Sequence, residues 1–122
     1  MGLSIALDER KNATWAIGPA TDNPHRTRPR TTDREIQMCA RCHSRRGQFR
    51  EDYVRGQAVG QDYRVALLDS DLYFPDGQIK SEVYEYGSFI QSRMFHEGVT
   101  CSDCHEPHSL KLRAVGNSVC QI

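Results

Sequence analysis

The pentapeptide C-x-x-C-H occurs twice in this chain, as Cys39-Ala40-Arg41-Cys42-His43 and as Cys101-Ser102-Asp103-Cys104-His105. It constrains the chain more than any other feature. Two cysteines three positions apart share one helical turn, so their S–H groups can add to the two vinyl groups on one edge of a haem. The histidine that follows directly can then swing its imidazole under the iron as proximal ligand. Cys39, Cys42, Cys101 and Cys104 are therefore candidate cofactor-binding residues, and His43 and His105 candidate iron ligands. Covalent tethering lets a protein hold a large group with little core of its own, which suits a chain that is 38% hydrophobic.

Other uses of the cysteines are weaker. Five cysteines are an odd number, four of them in two tight pairs, whereas a disulfide scaffold spreads an even set along the chain. Two C-x-x-C knuckles can hold one zinc tetrahedrally, but 58 residues lie between Cys42 and Cys101, and a histidine after each knuckle would be coincidence. A thioredoxin-like redox pair needs a βαβ setting that the sequence does not offer. The fifth cysteine, in Cys120-Gln121-Ile122, stands two residues short of a third motif. A lone cysteine near the end and a truncated third haem site are both open on the residues alone.

A low-spin electron carrier wants a second axial ligand, which His or Met can supply. His25, His96 and His108 are the remaining histidines. His108 lies too near its own attachment turn to fold under the same iron and would reach a neighbouring haem. His96 precedes Cys101 by five positions and can serve either haem, and His25 sits in a Pro- and Arg-rich loop. Met38 and Met94 read as core. Arg41, Arg45, Arg46 and Arg50 surround the first motif and suit haem propionates, or else a solvated helix face.

Length and composition bound the rest. The 122 residues make one domain. Sixteen basic and sixteen acidic residues give no electrostatic case for nucleic acid, and no apolar run approaches a membrane span. The N-terminus carries no secretory signal, because Asp8 and Glu9 cut its apolar stretch short. Ala6 stands where a myristoylation site wants Ser or Thr.

The element pattern suggests a mainly α and irregular fold: a small domain with two short helices at the haem motifs and one β-hairpin. Residues 1–32 read as loop-like, punctuated by Gly18-Pro19, Asn23-Pro24 and Arg28-Pro29-Arg30, with Trp15 as hydrophobic anchor. A helix is expected from a Thr31 or Thr32 cap to near Gly47. Residues 63–68 form a candidate strand, and residues 72–79 a hairpin about Pro75-Asp76-Gly77. A second helix is expected over residues 81–96, with Tyr86, Phe89, Ile90 and Met94 on one face.

The run Tyr84-Glu85-Tyr86-Gly87-Ser88-Phe89-Ile90-Gln91-Ser92-Arg93-Met94, followed by Gly98-Val99-Thr100-Cys101-Ser102-Asp103-Cys104-His105-Glu106-Pro107-His108-Ser109, resembles multihaem c-type cytochromes related to the tetrahaem carriers of nitrifying bacteria. Many of these also carry tetratricopeptide repeats. The stretch from Arg28-Pro29-Arg30-Thr31 through the first motif is similar to the same group, and residues 116–121 look like the approach to its next haem motif. The resemblance implies that residues 1–122 are an internal fragment of a larger exported protein, periplasmic or extracytoplasmic, with further haem segments on both sides. It implies mainly bis-histidine haem c, two sites complete and a third begun at Cys120. It also implies electron transfer to redox partner proteins rather than catalysis. A multihaem oxidoreductase acting on a small nitrogen or sulfur oxide is the enzymatic alternative. A thiolate metal-binding (zinc) or interaction module with no redox duty is the other alternative, and a fragment made without haem maturation would hold zinc or no cofactor.

Overall fold

Residues 15–26 form a hairpin, not a loop. β1 (Trp15–Gly18) runs antiparallel to β2 (Thr21–Arg26), with Trp15 opposite Arg26 and Ala16 opposite His25. Pro24 is tolerated because a two-stranded ribbon consists of edges. Two threonines close its open end: Thr27 N–H donates to the Thr14 carbonyl at 2.8 Å, and Thr14 N–H to Thr27 Oγ1 at 2.9 Å. Pro and Gly punctuation therefore marked the turn of a ribbon rather than an unstructured segment. The computed structural model describes residues 5–107, 109 and 111–121.

Helix α1 (Arg34–His43) begins later than the threonines suggest and stops before Gly47. The Thr32 hydroxyl donates to the Glu9 carboxyl instead of capping the helix. At the other end Ser44 turns to extended backbone while its hydroxyl donates to the Ala40 carbonyl at 2.6 Å. The chain leaves as β3 (Arg46–Gln48), which pairs antiparallel with β4 (Tyr63–Val65). A 3-10 turn, Val59–Gln61, precedes β4. The Pro75-Asp76-Gly77 turn is present, with Gly77 at φ +85° as such a turn requires. Its arms make a single bridge, Tyr73 to Ile79, and no longer ladder.

The expected second helix is two helices. α2 (Tyr84–Ile90) cannot extend back toward Ser81, because Tyr84 has φ +57°, outside the right-handed helical region. It is separated from α3 (Arg93–His96) by Ser92, whose hydroxyl accepts from Phe95 N–H at 3.3 Å and donates to the Phe89 carbonyl at 2.6 Å. Serine offers the backbone an alternative to helix continuation, and here it caps a new one. The break turns Met94 out of the apolar face, leaving it 56% exposed. One further turn of helix, α4 (Cys101–Cys104), leads into β5 (His105–Glu106), paired with β6 (Lys111–Leu112), and the chain closes on a 3-10 helix, Gly116–Gln121.

Among the described residues the architecture is thus four short α-helices and three two-stranded antiparallel sheets, about 29% helix and 18% strand, which corrects the mainly α expectation. The helices run from four to ten residues, too short to be stable by propensity alone. What holds them is a small core of Ile36 and Ala40 from α1, Val59, and Tyr86 from α2, with Phe89, Ile90, Phe95 and Cys101 packed around it. That core places α1 and α4 side by side.

Candidate functional site: two cysteine turns in contact

Glu35 begins the assembly. It lies one helical turn before Cys39 and is 1% exposed. Its carboxyl accepts from Ser102 N–H at 2.6 Å and from the Ser102 hydroxyl at 2.8 Å. α4 is held in turn by its own T-x-x-D sequence, in which Thr100 N–H donates to Asp103 Oδ2 at 2.8 Å. Arg113 Nε donates to the Ser102 carbonyl. One turn along α1 from Glu35 stands Cys39, and one residue before Ser102 stands Cys101, packed against the Ile36–Ala40 core.

A hydrogen bond from the Cys101 thiol holds the Cys39 thiol below its ordinary value, because a donor stabilises the thiolate. The same bond, followed by burial, pushes Cys101 up and keeps it the proton donor of the pair. Cys104 is also raised, mainly by burial, with the Asp103 carboxyl and the neighbouring Cys120 adding to it. Cys42 and Cys120 are exposed, and Cys39, Cys101 and Cys104 are half-buried.

The histidines are distributed as follows. His43 is exposed at the end of α1, with Nδ1 3.2 Å from Glu85 Oε2 on α2. His105 is exposed at the start of β5. His25 and His96 line one cleft of about 510 Å³ together with Arg26, Arg30 and Asp33, which the sequence did not suggest. The His96 ring also meets Phe95 edge-on, with centroids 5.9 Å apart. His108 lies outside the described residues. Among the described residues no group of three or more His, Cys, Asp or Glu is placed to hold a metal ion, so the four motif thiols do not gather into one tetrahedral set.

The arginines near the first motif are largely engaged elsewhere. Arg41 is buried and donates to Asp62 at 2.8 Å, with its guanidinium stacked 3.4 Å above the Tyr53 ring. It faces the β3–β4 side and not a solvent-exposed acid. Arg46 covers Tyr63, and Arg50 pairs with Asp52. Glu35, Ser102, Asp62 and Glu85 are the site residues that sequence reasoning passed over. Glu35 carries no signal beyond a favourable first-turn acid, because its partner is 67 positions away.

As a donor set the two turns suit haem c. Each offers two thiols one helical turn apart and an exposed imidazole next to them, and at His43 the engaged nitrogen is Nδ1, which leaves Nε2 pointing away from Glu85. Comparison with known proteins returned nothing: no family model, curated protein or solved structure matches this chain.

Proposed function

We propose that this chain holds two covalently attached c-type haems and carries electrons between them as part of a longer multihaem protein. The observation that carries the reading is that the two C-x-x-C-H turns, far apart in sequence, lie side by side, joined through Glu35 and Ser102. If each is a haem-attachment turn, the two attachment edges are neighbours, as direct electron exchange requires.

Cys39 and Cys42 would form the thioethers of one site and His43 its proximal ligand. Cys101, Cys104 and His105 would serve the other. Glu85, accepting from Nδ1–H, would orient the His43 ring and leave Nε2 for the iron. When bound, haem supplies a one-electron iron couple, which the chain tunes by axial ligand, hydrogen bonding and burial. His25, His96 and His108 are the candidates for the distal positions. Cys120 would begin a third site. Haem attachment places the parent protein in an extracytoplasmic compartment, with other haem segments and redox proteins as partners. Among the described residues no helix is long and apolar enough to cross a membrane.

The test is production through an export route with a c-type maturation system. Two covalently added haems should appear in the intact mass, with a low-spin c-type spectrum. His43→Ala should perturb one site while leaving its thioethers. Carbon monoxide should bind the reduced protein slowly, and rapid binding at every iron would instead favour an enzyme with open sites. A colourless, unmodified chain that folds on adding zinc would overturn the haem reading.

A further inference from the structure

Glu35 is an acid in the protein interior without a cation for a partner. It is 1% exposed, and among the described residues no lysine, arginine or histidine forms an ion pair with it. Its two oxygens accept from the N–H and the hydroxyl of Ser102. It stands in the first turn of α1, where the helix dipole favours an anion. Two other charged groups adjoin the link. The Glu9 carboxyl accepts from the Glu35 N–H at 3.3 Å, and Arg113 Nε donates to the Ser102 carbonyl. A glutamine would tie α1 to α4 equally well and avoid the cost of burying a charge. The charge is thus the part of Glu35 that holding the helices together leaves unexplained.

Its position is common to both motifs. Cys39 follows Glu35 by four residues, the spacing that sets two side chains on one helix face. Cys101 adjoins Ser102, the residue that Glu35 holds. The Glu35 charge opposes ionisation of the thiols at both Cys39 and Cys101, so its field reaches the first cysteine of each turn.

We propose that Glu35 is a shared electrostatic control of the two haem sites, a buried anion that lowers the reduction potentials of both. That role rests on the haem reading above. The oxidised state of a haem carries one more positive charge than the reduced state. A fixed anion nearby stabilises the oxidised state, and burial keeps water from screening the interaction. Glu35 makes no bond to His43 or His105, so it acts through space and not as a ligand. Because it adjoins both turns, it moves the two potentials in the same direction and keeps them matched for exchange between the sites.

The experiment measures both reduction potentials of the matured full chain by spectroelectrochemical titration, beside Glu35→Gln and Ser102→Ala. Glutamine preserves the link, since its Oε1 can accept from the Ser102 N–H while its Nε2 donates to the Ser102 hydroxyl. Only the charge is lost, and both potentials should rise. Ser102→Ala weakens the same link but keeps the charge, and should leave both potentials close to their native values. Equal shifts in the two variants, a shift at one haem only, or no shift would overturn the role given to Glu35. Should Glu35→Gln mature poorly, Glu35→Met combined with Ser102→Ala removes charge and hydroxyl together and must show the same rise. The reduced, haem-free chain gives a second readout. In Glu35→Gln the pH profiles for alkylation of Cys39 and Cys101 should both move to lower pH, and profiles that stay in place would show that no charge is buried there. A chain that accepts no haem overturns the haem reading and this role with it. Two attached haems with potentials indifferent to Glu35→Gln overturn this role alone.

Discussion

Glu35 and Ser102, 67 positions apart, are joined by two hydrogen bonds inside the protein, at 2.6 Å to the backbone N–H and 2.8 Å to the hydroxyl. Both residues are essentially inaccessible. Removing the carboxyl would orphan the buried Ser102 N–H and leave its hydroxyl only the 3.3 Å contact with Thr100 Oγ1. Glu35→Ala is expected to cost about 2–4 kcal/mol, measured by urea unfolding. It should also release Cys101 from Cys39, seen as faster alkylation of Cys101. Equal stability with unchanged thiol reactivity would show that the two helices are held by other means.

Arg41 and Asp62 form the other buried polar link, 2.8 Å apart with side chains 9% and 2% exposed. Losing one partner leaves an uncompensated charge. Asp62→Ala should therefore destabilise by about 3–5 kcal/mol, while replacing both residues with apolar ones of similar volume should cost much less. A double-mutant cycle on unfolding free energies checks this. Additive losses would mean that the pair does not act as a unit.

Gly87 on α2 faces a buried tyrosine, and a Cβ built there would come within 2.7 Å of the Tyr73 hydroxyl. Alanine raises helix propensity by about 1 kcal/mol, but overpacking costs about 1–3 kcal/mol. Gly87→Ala should lower the urea midpoint in the native background. In a Tyr73→Phe background, where that oxygen is gone, the same substitution should be neutral or stabilising. A loss of equal size in both backgrounds would place the constraint elsewhere.

The hydrogen bond from Cys101 holds the Cys39 thiol below its ordinary value, so its reactive thiolate persists to lower pH. Cys101→Ala removes the donor. The pH profile for alkylation of Cys39, read by peptide mass mapping, should then move to higher pH. A profile that stays in place would mean that the bond does not govern Cys39.

The motif turns were legible because their information is local. Cysteine spacing places both thiols of a pair on one helical turn. The Pro75-Asp76-Gly77 turn was legible for the same reason, since Gly77 supplies the positive φ it needs. The first hairpin was not, because a Pro-punctuated stretch becomes a ribbon only when Thr14 and Thr27 close it across 13 positions. The break at Ser92 was hidden in an amphipathic stripe that runs on through it.

From its residues alone, then, this chain determined two thiol-bearing turns, each followed by an imidazole, because bond geometry within five residues suffices for that. Tertiary structure alone decided that those turns abut, that His25 shares a cleft with His96, and that Arg41 faces Asp62. Each of these depends on buried contacts between segments distant along the chain, and burial is settled by packing the whole core at once. No single stretch of residues carries that information.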